Sequence, residues 1–119
     1  MDIKSLDKAL QEIVKKREQL AGIDYNNPTY DDLEEKLHDD EDALQVSFGE
    51  YLEEALQKVH DEVCPDNDVL MPIAYLGKGI IVESDKYPNK DTRLILMPNP
   101  PRIILTVGRD QQEVVWTAQ

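Results

Sequence analysis

His38 with Asp42, and His60 with Cys64, stand four residues apart, the spacing that sets two side chains on one face of a helix. Imidazole, carboxylate and thiolate all bind zinc. Zinc, however, takes three or four such ligands in tetrahedral array, and this chain holds only two His and one Cys. The spacing therefore predicts a solvated His and a small buried thiol, with no metal site and no cofactor. Cys64 with His60 one turn away is also two-thirds of a nucleophilic arrangement, and it lacks a third group to orient the base.

The oxygen-rich segments lead no further. Asp66-Asn67-Asp68 begins like a calcium loop, but Leu70 falls where the next ligand belongs, and the loop glycine and the closing glutamate are missing. Asp85, Asn89 and Asp91 are residues that turns favour without any cation. Carboxylates are abundant enough that some pair would suit general acid–base work, and that abundance makes the signal uninformative. No Gly-rich phosphate loop, nucleophile elbow or zinc-protease helix motif is present. No catalytic residue is assigned, and an enzyme is the less favoured class.

The strongest pattern is electrostatic. Between Thr29 and Asp68 lie fifteen Asp and Glu against two bases, Lys36 and Lys58, and this band carries essentially all of the formal net charge of −12. Its densest parts are Asp31, Asp32, Glu34 and Glu35, and then Asp39, Asp40, Glu41 and Asp42. Like charge so concentrated opposes folding and favours solubility, or a counter-charged partner, or both. Phosphate backbones and anionic lipid would be repelled, so neither direct nucleic-acid binding nor membrane binding is expected. These eight residues form a candidate surface for a basic protein partner. An acidic mimic of nucleic acid, acting on such a partner, is a further alternative.

The elements that must position these groups follow from hydrophobic period. At 119 residues the chain fits one domain with a core of its own. A lone cysteine fits a reducing compartment. The charged start Met1–Asp7 differs from a signal peptide, and no run approaches the roughly 20 apolar residues of a membrane span. A cytoplasmic protein is the expectation. In size and charge the chain is similar to small acidic secretion chaperones. Their interleaved helices and strands differ from the order read here, and no residue role is carried over.

Residues 1–64 read as a helical layer. Ile3, Leu6, Leu10, Ile13, Val14 and Leu20 make one apolar stripe, interrupted by Arg17, and Gly22 is placed to end it. Thr29 is the expected N-cap of a second, long helix. Its stripe is Leu33, Leu37, Leu44, Phe48, Leu52, Leu56, Val59 and Val63. Asp40 and Glu41 stand where that stripe should continue, which predicts a break or an exposed stretch near 38–42. Ser47 to Glu50, with Gly49, marks a second candidate break near 47–49.

Residues 69–118 read as an antiparallel meander of four to five strands: Val69–Leu76, Gly79–Glu83, Thr92–Met97, Arg102–Val107 and Glu113–Ala118. Pro72 puts the first of these at an edge or splits it. The fold class is therefore α+β, a helical pair packed on a sheet. One sheet face is apolar throughout and should meet the helices. The other bears Ile81, Ile95, Met97, Ile104 and Val115 among Thr and charged residues. Two helices are expected to cover one face, leaving this second face, or a free edge strand, to join a homodimer. The best reading is a small acidic protein-interaction module without catalytic activity. The alternative is a small-ligand protein or enzyme with a pocket between sheet and helices.

Overall fold

The computed structural model describes residues Met1–Gln119. Helix α1 spans Ile3–Ala21, and the Asp2 side chain caps it by accepting from the Ser5 N–H at 3.2 Å. Helix α2 spans Tyr30–Val63. Thr29 stands at its N-cap without a side-chain capping bond, because its hydroxyl donates to Asn27 Oδ1 at 2.8 Å instead. At the far end Pro65 follows Cys64, and its ring forbids further helix.

Helix α2 is continuous, so neither expected break occurs. At 38–42 the reason is electrostatic. Lys16 of α1 lies against Asp40, and Arg17 lies 3.4 Å from Glu41. The interruptions of the two apolar stripes thus face each other with opposite charge. Near 47–49, the missing Gly49 side chain lets Gln45 cross the helix surface to donate to Glu53 Oε1 at 3.0 Å. A single glycine there costs only about 1 kcal/mol, too little to end a helix packed along its length.

Four strands follow: β1 Ile80–Val82, β2 Thr92–Met97, β3 Arg102–Val107 and β4 Gln111–Thr117. They form an antiparallel meander in the order β1-β2-β3-β4. The fifth expected strand, Val69–Leu76, is absent. Its second half is a short 3-10 helix, Pro72–Tyr75, with proline in the first turn, where a missing N–H costs nothing. The chain enters β1 through Gly79 at φ 71°, where a Cβ would collide with the Leu94 carbonyl oxygen.

Leu6, Leu10 and Ile13 of α1 and Leu44, Leu52, Leu56 and Val59 of α2 share one core with Val82, Leu94, Leu96, Ile103, Leu105 and Val107 of the sheet. Both helices therefore lie on the same face of the sheet. Burial alternates in β2 and, apart from Ile104, in β3, but the alternation fails in β4. Ile103 pairs with Trp116 while Ile104 pairs with Val114, so Val115 is the extra residue of a β-bulge. The bulge shifts the phase of β4. Val114, expected in the core, joins Ile104 on the outer face and is 57% exposed. Val115, expected on the outer face, is half-buried against the core. No helix is long and apolar enough to cross a membrane.

Candidate functional site

The residues with the most chemistry in them are tied up in structure. Helix α2 carries His60 into the core, where its ring lies edge-on to Tyr75 with centroids 5.9 Å apart. Its Nδ1 is 3.0 Å from the Asn67 carbonyl oxygen, which can only accept, so that nitrogen carries the proton. Nε2 then accepts from the Tyr75 hydroxyl at 2.8 Å, and that hydroxyl accepts in turn from the Leu70 N–H at 3.0 Å. Both ring nitrogens are satisfied without Cys64. No Cys64–His60 dyad forms, and His60, expected to be solvated, is instead buried because both its ring nitrogens find partners in the interior.

Cys64 is itself fully buried. Burial, reinforced by the Asp85 charge, pushes its thiol up to about 11. It is a packed side chain, inert at neutral pH. Burial raises the Tyr75 phenol as well, and Asp40 raises the Lys16 ammonium. In all three cases the folded state holds a proton that the unfolded chain releases more readily. For Cys64 that contribution is complete below pH 9 and is lost as pH climbs through about 11, about 3 kcal/mol in all, and Tyr75 and Lys16 act in the same direction. Denaturant melts should therefore show stability level to pH 9 and falling steeply beyond it. Cys64→Ala should make that fall shallower, and an equal slope in the variant would contradict the assignment.

The other sequence-level candidates are dispersed. His38 and Asp42 are both exposed, and no group of three or more His, Cys, Asp or Glu is gathered to hold a metal. Asn67 is structural: its Oδ1 accepts from the Glu83 N–H at 2.8 Å while its carbonyl holds His60. Asp85, Asn89 and Asp91 line an open concavity of about 550 Å³ in the β1–β2 loop, and Asp91 stands 4.0 Å from Arg93. A second groove, of about 320 Å³, runs on the surface between α1 and α2 past Ala9, Leu44 and Phe48.

Two surfaces remain. The first is the acidic ridge of α2. Asp31, Asp32, Glu35, Asp39 and Asp42 are exposed, while Glu34, Asp40 and Glu41 are half-buried. Of the thirteen carboxylates in α2, only Asp40 and Glu41 have a basic group within 4 Å. The densest acidic run is thus split in function. Its inner pair is held by α1, and its outer pair faces solvent. The charges of Lys16 and Arg17 opposite this run were the available signal, missed because the relative placement of the two helices was unknown.

The second surface is the outer face of the sheet. It brings together Ile81, Ile95, Met97 and Ile104 of the expected set, and the bulge replaces Val115 by Val114. Ile81 is 67% exposed, whereas Ile104, at the centre, is only 3% exposed and lies outside the core on the opposite face. Arg93 and Arg102 flank the apolar residues. No family model, curated protein or solved structure matches this chain.

Proposed function

We propose that this chain is a small, acidic protein-interaction module that acts by binding and associates as a homodimer through the outer face of its sheet. The observation that carries this reading is the one-sided packing of the helices, which leaves Ile81 and Val114 exposed, with Ile95 and Met97 half-buried, around the buried Ile104. A contiguous apolar face on a chain of net charge −12 is costly to leave in water, and burying it against another protein removes that cost. A cytoplasmic setting suits the reduced, buried Cys64. Sedimentation from about 1 to 100 µM tests the reading: dimer growing with concentration is expected, and monomer throughout that range overturns it.

The uncompensated carboxylates of α2 favour a second activity of the same module, docking of a basic protein segment. The ridge follows an uninterrupted helix along a molecule 46 Å in its longest dimension. Such a field speeds encounter with cationic partners and weakens with salt. Co-purification at low and high salt tests it, since a charge-driven partner should be lost as salt rises. A mimic of nucleic acid belongs to this second reading, distinguished by a partner that DNA displaces.

A further inference from the structure

We infer that the second copy lies face to face with the first about a two-fold axis running across the strands, along the row Ile95–Ile104–Val114. This arrangement rests on the homodimer reading and specifies it. The strand register arranges the outer face as three parallel rows. Ile81, Arg93, Thr106 and Gln112 form the first, Ile95, Ile104 and Val114 the central one, and Met97, Arg102 and Thr117 the third. The central row is wholly apolar and continuous over three strands.

A two-fold axis along that row brings each of its residues onto its own copy, so apolar atoms meet apolar atoms at the usual sheet separation of about 10 Å. The same operation exchanges the outer rows. Arg93 then lies opposite the partner's Met97, and Arg102 opposite the partner's Thr106. Neither arginine meets a like charge, which is the main electrostatic objection to stacking this face on itself. The acidic ridges of both copies are left on the two far sides of the assembly, as distant from each other as the fold allows.

Edge pairing is the poorer route to a dimer. Strand β1 offers three residues, and β4 is interrupted by its bulge at Val115. Area sets the strength of the face-to-face contact. The ten positions of these rows, with strands about 4.8 Å and rows about 7 Å apart, cover roughly 340 Å² per copy or about 700 Å² in all, below the roughly 1,000 Å² of a stable specific interface and in the range of weak, transient contacts. Dissociation constants of roughly 10–100 µM are therefore expected.

Val114 is exposed and tolerates substitution without loss of the core, so it carries the test. Val114→Glu and Val114→Lys should each weaken self-association by at least about tenfold, because like charges then meet across the axis. Mixing the two variants should restore dimer to near the wild-type level, as heterodimers pair the charges. Ile81→Glu mixed with Ile81→Lys should show no such recovery, because the axis carries Ile81 to the opposite end of the partner's face. A wild-type chain that is monomeric at every concentration sinks the homodimer itself. A dimer that survives Val114→Glu, a Val114 mixture that fails to recover, or an Ile81 mixture that does recover each leaves the dimer standing and overturns this arrangement.

Discussion

Tyr75→Phe should destabilise the protein by about 3 kcal/mol, a large fraction of the stability of a domain this size. The ring would still fill its place in the core, so the loss isolates the hydroxyl. That oxygen donates to His60 Nε2 at 2.8 Å and accepts from the Leu70 N–H at 3.0 Å. Removing it orphans a ring nitrogen on a side chain with 1% exposure, together with a backbone donor. Each orphaned buried group costs about 1–3 kcal/mol, with the Leu70 side at the lower end because its residue is partly exposed. Urea melts should show a lower midpoint with an unchanged m-value. Amide exchange should quicken at Leu70. A loss under about 0.5 kcal/mol would mean that the hydroxyl contributes no more than an exposed hydrogen bond.

Arg17→Ala should be the next most damaging change, at about 2 kcal/mol. One guanidinium reaches three acceptors on two other elements: Glu41 Oε1 at 3.4 Å, the Ile73 carbonyl at 3.2 Å and the Leu76 carbonyl at 3.5 Å. It joins α1 to α2 and to the 3-10 turn before β1. Without it the Glu41 carboxylate, 13% exposed, stays largely buried with no counter-charge. That desolvation, rather than the length of the bonds, makes the change expensive. Arg17→Lys should recover less than half of the loss, because a single ammonium cannot span three acceptors set around a planar fork. Thermal melts of Ala and Lys variants decide it, and equal stability of Arg17→Lys and wild type would show that only the charge matters.

These two contacts also explain which parts of the structure were open to sequence reasoning. The helical stripes, the turn residues and the two-residue alternation of β2 and β3 are properties of local spacing, and each was legible. So was the continuous core, because its members recur at intervals set by backbone geometry. Val69–Leu76 misled because its apolar content suits a strand equally well, while Tyr75 turns back to meet His60 fifteen residues earlier. Asp40 and Glu41 misled in the opposite sense. Taken alone they break a stripe; set against Lys16 and Arg17 they complete a contact. The bulge at Val115 was equally hidden, since Val114 and Val115 are adjacent and equally apolar, and only pairing with Ile103 and Ile104 tells which one is extra.

The sequence by itself determined an α+β domain of two helices followed by a meander, a band of uncompensated charge on the second helix, and the absence of any recognised catalytic motif. Those features depend on the order and period of residues, which no packing can alter. Tertiary structure alone decided that α2 stays whole, that both helices take the same side of the sheet, and that His60, Cys64 and Tyr75 are spent on the interior. It also decided that Val114, not Val115, completes the outer face. Each of these turns on which distant residue supplies the opposing charge, proton or pairing partner, and that choice exists only once the chain has closed on itself.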